Sequence, residues 1–222
     1  FLIFLCGLMI LILYYENTML DTPFERFMDS QKLGVRFLFS GIGVVLTGFW
    51  DYYFSRVFES QVYRRLSINQ RPAESSILIS PPSSAFVGLW NATIQRDIFS
   101  WNVALATILA KFTPLLLSNV PFRNTVTWEI HERCTWTAVS ILGYMMLVLL
   151  GSFLVKKPPM TVEPTSIINC LYHICDSRMV KDFDQLSVLP HGKRDRIVSK
   201  MEKKYILDEI LGSSGARRVG VD

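Results

Sequence analysis

The sequence predicts an all-α, polytopic membrane protein: about four transmembrane helices, an interfacial helix and a mostly helical soluble C-terminal tail. Three observations carry that expectation. Half of the 222 residues are hydrophobic and only 19% are charged, with a mean hydropathy of +0.29. The apolar residues fall into long blocks instead of recurring with the period of 2 or 3.6 that a soluble core requires. The basic residues, finally, gather in alternate connections between the blocks.

The first block, 1–15, is nearly pure Phe, Leu, Ile and Met and closes on Tyr14 and Tyr15. Tyrosines suit the interface, where an amphipathic ring meets the headgroups. The block opens on Phe1 with no basic leader and no small-residue cleavage site, so a signal peptide fits poorly. It is expected to be the far part of a spanning helix, and the chain a fragment of a longer protein. Pro23 suits the first turn of a small helix in the polar segment 16–32.

The second block, 33–54, has Arg36 as its only charge before Asp51, which stands at its end among Trp50, Tyr52 and Tyr53. Arg36 lies close enough to the helix start to snorkel. Gly34, Gly41, Gly43 and Gly48 allow neighbours to approach but form no strict GxxxG pair. Beyond Pro81 and Pro82, Val87, Trp90, Ile94, Ile98 and Trp101 are spaced by three or four. That spacing predicts one apolar helical face over about 84–100, either lying in the membrane interface or packed on protein.

The third block, 101–121, contains Lys111 and, three residues on, Pro114, whose missing N–H predicts a kink. The fourth, 135–155, has no charge and stops at Lys156-Lys157-Pro158-Pro159. Residues 1–155 are thus expected to form a membrane domain and 156–222 a tail. Within that tail, 192–211 reads as a charged helix with basic side chains that suit anionic lipid or solvent.

Lys plus Arg number 2 in 16–32, 5 in 55–100, 2 in 118–134 and 12 in 156–222. By the positive-inside rule the two rich segments face the cytoplasm. The Asn91-Ala92-Thr93 glycosylation acceptor then lies on the wrong side to be modified. Four cysteines without regular spacing make no disulfide framework, and a net charge of +4 gives no reason to expect nucleic acid as a partner.

Lys111 with Pro114 is the candidate intramembrane polar site. A cation there costs roughly 2.5–3.5 kcal/mol on insertion scales and by default marks a cavity, a pathway or a partner. Lys111 is expected to find no Asp or Glu as a partner inside any of the four apolar blocks. Water, a carbonyl freed by Pro114, or a part of the protein beyond these residues would have to serve; snorkelling with a shifted register is the plainer account. Catalytic and metal chemistry find no constellation. His131-Glu132 opens a metalloprotease-like pattern, but position 135 is Thr where the second His must stand. Cys170, His173 and Cys175 fit no standard zinc spacing. Gly212-Ser213-Ser214-Gly215 lacks the preceding strand of a phosphate loop and reads as a turn. No catalytic residue, metal or cofactor is expected.

Several strings are familiar together: Gly34-Val35-Arg36-Phe37-Leu38-Phe39; Ser76-Ile77-Leu78-Ile79-Ser80-Pro81-Pro82, followed by Ala85-Phe86 and Gly88-Leu89-Trp90; Leu116-Leu117-Ser118-Asn119-Val120-Pro121; Cys134-Thr135-Trp136; Cys175-Asp176-Ser177; and Arg217-Arg218-Val219-Gly220-Val221-Asp222. The chain resembles, from about 34 to 222, a family of large multi-pass membrane proteins of filamentous fungi known as a domain of unknown function. The resemblance implies long parent proteins carrying more than one copy of such a module, and carries over no catalytic residue. The expected role is a structural or regulatory membrane module, in the plasma membrane or a secretory-pathway membrane. Its expected partners are the lipid bilayer, other copies of the module, and cytoplasmic proteins bound through the tail. The rival is a transporter or channel subunit with a pathway near Lys111; a membrane-embedded enzyme has the least support.

Overall fold

The computed structural model describes residues 1–17, 22–29, 33–68, 70–73, 76, 78, 81–121, 128–155, 183, 186–201, 203–211 and 217–221. The cysteine–histidine cluster at 170–175, the 156–159 stop and the 212–215 turn lie outside them. The chain divides into two compact units, one made of Phe1–Arg56 with Pro82–Val155 and the other of Val57–Pro81 with Lys156–Asp222.

Among the described residues, the first unit is helical throughout its regular structure. Its elements are α1 (Leu2–Asn17), α2 (Pro23–Asp29), the larger part of α3 (Leu33–Leu66), α4 (Ala85–Ile94), α5 (Ile98–Ala110), α6 (Thr113–Ser118) and α7 (Trp128–Leu154). Pro23 opens α2 as expected. Three stretches are long and apolar enough to cross a membrane: Gly34–Leu66, Ile98–Ser118 and Glu129–Leu154. At 16 residues, α1 rises about 24 Å, short of the roughly 30 Å hydrocarbon core, so the described residues hold three full-length spans and a shorter apolar helix.

Burial along α3 explains why it belongs in lipid. Val35, Phe39, Gly43, Leu46, Trp50 and Phe54 form one buried stripe, while Phe37, Leu38, Val44, Val45 and Tyr52 remain exposed. A soluble helix would carry polar residues on that outer side. On α7 the buried line Thr135, Ala138, Leu142, Met145, Leu149 likewise stands opposite exposed Leu147, Leu150, Phe153 and Leu154. The protein is a helical membrane protein, and the outer faces of α3 and α7 are apolar as contact with a bilayer requires.

Helix α7 packs against α1, α5 and α6, and α4 packs along α5. At the end where α1 finishes, His131 of α7 is buried with its Nε2 3.0 Å from Glu16 Oε2, and its ring meets that of Tyr15 edge to face. Farther along, the Tyr144 hydroxyl donates to Asn102 Oδ1 at 2.7 Å and ties α7 to α5.

Three sequence expectations change here. The face predicted over 84–100 is not one helix: the chain turns at Gln95–Asp97, where Arg96 adopts φ 52°, and α5 starts at Ile98. The third block is broken instead of merely kinked, because Lys111 and Phe112 form a turn between α5 and α6. The second block does not end at Phe54; α3 continues to Leu66.

The second unit has its own small core of Leu66, Ala73, Leu186, Val198, Tyr205 and Leu207. Segment Val57–Pro81 therefore folds with the tail, although it lies within 1–155. A helix, α8 (His191–Lys200), follows a short 3-10 turn at Leu186–Val188. The helix predicted over 192–211 stops at Lys200. After it, β2 (Lys204–Tyr205) pairs antiparallel with β1 (Arg71–Pro72), and β3 (Leu207–Leu211) pairs antiparallel with β4 (Arg217–Val221). The reason is visible in the residues: the run Tyr205-Ile206-Leu207 puts buried Tyr205 and Leu207 two apart, a strand period facing the core.

Candidate functional site

The site grows from one missing hydrogen. In an unbroken α-helix the Ala110 carbonyl would accept from the backbone N–H of residue 114, but that residue is proline and has none. Helix α5 tightens as it ends, with Lys111 N donating to Ile108 O at 3.2 Å and Phe112 N to Leu109 O at 3.0 Å. Pro114 then falls in the first turn of α6, where its missing donor costs nothing further.

Two threonines take over the freed carbonyl. Thr47 Oγ1 on α3 lies 2.8 Å from Ala110 O, and Thr113 Oγ1 lies 2.7 Å from it. The same hydroxyls stand 3.0 Å and 3.3 Å from the carbonyl of Gly43. Each hydroxyl has a single proton, so two protons serve four oxygen contacts. The shorter distances identify Ala110 as the principal acceptor. A backbone acceptor at membrane depth is thereby satisfied by a neighbouring helix, as lipid demands.

Close approach makes this possible. A Cβ placed on Gly43 would lie 2.4 Å from Pro114 Cα and 2.6 Å from Pro114 N. Gly41 and Gly48 on the same helix meet nothing within 4 Å, so the glycine requirement belongs to position 43. The contacts Gly43 to Pro114, Thr47 to Ala110 and Thr107 to Trp50 descend along one strand of the chain while rising along the other. Helix α3 therefore runs antiparallel to α5 and α6.

Lys111 occupies the turn itself, and its ammonium pairs with the Asp51 carboxylate of α3. This corrects the expectation that no acid within the blocks serves Lys111. Because α3 continues for fifteen residues beyond Asp51, that carboxylate lies inside a helix at the level of the break. Both side chains are 49% exposed, so the pair lies at the side of the bundle. A separate groove of about 540 Å³, lined by Gly34, Arg36, Phe37, Ser40 and Ser118, lies at the opening end of α3 and excludes both charges.

The structure thus brings Lys111 and Pro114 together with Gly43, Thr47, Asp51 and Thr113, none of which had been singled out as a site residue. One signal for them was present: Gly43, Thr47 and Asp51 are spaced by four, which aligns them on one helix face. His131 was weighed only as a metal ligand, and its actual partner, Glu16, lies far away in sequence. Among the described residues no group of three or more His, Cys, Asp or Glu is placed to hold a metal ion, and Cys6 and Cys134 are free thiols.

Fold and site together define a helical membrane protein whose broken span is clasped to a neighbouring helix through backbone contact, hydroxyls and an ion pair. Residues 33–122 are similar to the family described as "Protein of unknown function (DUF3433)". The matched stretch runs from the start of α3 to just past α6 and contains every residue of the clasp, whereas α1, α7 and the tail lie outside it. No curated protein and no solved structure matches the chain.

Proposed function

We propose that the chain is a structural or regulatory module of a larger multi-pass membrane protein of a filamentous fungus, with its basic tail in the cytoplasm. The observation that carries this reading is that polar groups within the helices are spent on one another. Lys111 engages Asp51, Thr47 and Thr113 cap Ala110, and Tyr144 engages Asn102. Polar side chains used in this way hold membrane helices in a fixed arrangement. The inward tail is supported by the excess of Lys and Arg in 55–100 and 156–222, and by the core that parts of these two segments share. Other copies of the module, and cytoplasmic proteins bound by the tail, are the partners this reading assigns.

A transport or channel role is the second reading, favoured by one feature: a cation at the break of a discontinuous span, half-exposed beside its acid, resembles the ion-coupled sites of transporters. Exchanging the two charges, Lys111→Asp with Asp51→Lys, separates the readings in a complementation assay of the full-length protein. A scaffold keeps both membrane yield and function in the exchanged variant. If yield is restored but function is lost, the position of each charge matters to a passing solute, and the scaffold reading fails.

A further inference from the structure

Helix α4 lacks what a helix lying in the membrane surface needs. Such a helix presents a charged or strongly polar face to water. The ten residues Ala85–Ile94 include no charge, and their polar side chains are Asn91 and Thr93 alone. The Thr93 hydroxyl is turned back onto the Leu89 carbonyl at 2.8 Å. Phe86 is 71% exposed, Trp90 67%, and Val87 and Ile94 are exposed with them, whereas Gly88 and Ala92 are buried. Residues 75–95 contain no Asp, Glu, Lys or Arg. A helix apolar on all sides belongs in a core or in a membrane, and the face of Phe86, Val87, Trp90 and Ile94 is left exposed.

The connection to α5 fixes its direction. Asp97 N donates to Ala92 O at 3.0 Å and Arg96 N to Thr93 O at 3.2 Å, the paired bonds of a Schellman stop, with Arg96 in the left-handed conformation. Asp97 at once caps α5, accepting from Ser100 N at 3.2 Å. Two helices joined by so short a turn and packed along each other form an antiparallel hairpin. Gly88 and Ala92, four apart and buried, permit close packing. Since α5 opens the span Ile98–Ser118, the charged turn at Arg96 and Asp97 belongs at the membrane surface. A helix running back from it beside α5 then enters the same slab. Ten residues rise about 15 Å, half of a roughly 30 Å hydrocarbon core. At the inner end the first N–H groups of α4 are capped: Ser84 accepts from Val87 N through its hydroxyl and from Gly88 N through its carbonyl. Pro81 and Pro82 bring no N–H groups with them.

We infer that α4 and α5 form a re-entrant hairpin, with Ala85 near mid-bilayer, Gln95–Asp97 at the surface, and acyl chains covering Phe86, Val87, Trp90 and Ile94. This is deeper than the interfacial placement expected from sequence, and it does not depend on the scaffold reading.

The test is spin-label depth measurement on the full chain in phosphatidylcholine proteoliposomes, with Cys6, Cys134, Cys170 and Cys175 replaced by Ser. Labels at Phe86→Cys and Ile94→Cys are compared by their collision rates with oxygen and with a water-soluble nickel chelate. A re-entrant α4 places position 86 deeper than 94 by several ångström, up to about 12 Å for eight residues of helix. Equal depths, water-like access at both positions, or a deeper 94 would each overturn the inference. Val87→Cys and Thr93→Cys repeat the comparison should either first variant fail to reconstitute.

Discussion

Gly43 and Pro114 meet backbone to backbone, so closely that a single added Cβ on Gly43 would stand 2.4 Å from Pro114 Cα. The obstructing atoms belong to the main chain and cannot rotate aside. Gly43→Ala is therefore expected to lower stability by about 1–3 kcal/mol, the usual cost of overpacking. Gly41→Ala and Gly48→Ala, which meet open space, serve as controls in thermal unfolding of the detergent-solubilised protein. A Gly43→Ala variant as stable as those two would mean that α3 and α6 separate freely.

The two threonine hydroxyls are expected to substitute for each other. Thr47→Val or Thr113→Val alone leaves one donor at the Ala110 carbonyl, whereas both together leave it bare. The double variant should lose more than the sum of the singles, by about 1–2 kcal/mol for an unsatisfied buried acceptor. A double-mutant cycle on unfolding free energy reads this coupling directly.

Asp51 and Lys111 each make the other tolerable in lipid. Lys111→Met strands the carboxylate, and Asp51→Leu strands the ammonium, at up to roughly 2.5–3.5 kcal/mol for a charge at mid-helix. Both single variants should show reduced membrane-integrated yield, and Asp51→Leu with Lys111→Met should recover most of it. The readout is the carbonate-resistant fraction; no recovery in the double variant would show that the charges act separately.

His131 is 2% exposed and Glu16 11%, and together they join α7 to the end of α1. Removing one partner deletes this hydrogen bond between two largely buried groups, at about 1–3 kcal/mol. His131→Ala should thus destabilise the protein by that order in the same unfolding assay, while Ile130→Ala next to it, an exposed position, should be nearly silent.

Leu66 and Ala73 share a core with Leu186, Val198, Tyr205 and Leu207, so the connection after α3 and the tail must lie on one side of the membrane. Single cysteines at the exposed positions Ile68 and Val188 should react with a membrane-impermeant maleimide from the same side. Labelling only after permeabilisation places that side in the cytoplasm, and labelling in intact cells places it outside.

The membrane class was legible in the residues alone, because spans need only length and an absence of charge, and both are properties of contiguous sequence. So was a departure from straight helix near Pro114, since a missing donor is local, but it read as a kink and not as the break between α5 and α6. The extent of α3 was not legible: Trp50, Tyr52 and Tyr53 read as an exit belt, yet the helix runs on to Leu66, and that continuation makes Asp51 a partner for Lys111. The end of α8 at Lys200 escaped for a similar reason. The charged composition of 192–211 suits a helix, but the shared core with α3 favours strand spacing at Tyr205 and Leu207.

The sequence by itself determined that this chain lives in a bilayer, where its polar interruptions lie, and that Lys111 needs an answer. The tertiary structure alone decided what the answer is. Gly43, Thr47 and Asp51 recur at every fourth residue, a spacing that acquires meaning only once the break between α5 and α6 is laid against that face. A hydrogen bond or an ion pair depends on distance in space, and the sixty-position separation of Asp51 from Lys111 in sequence carries no record of it.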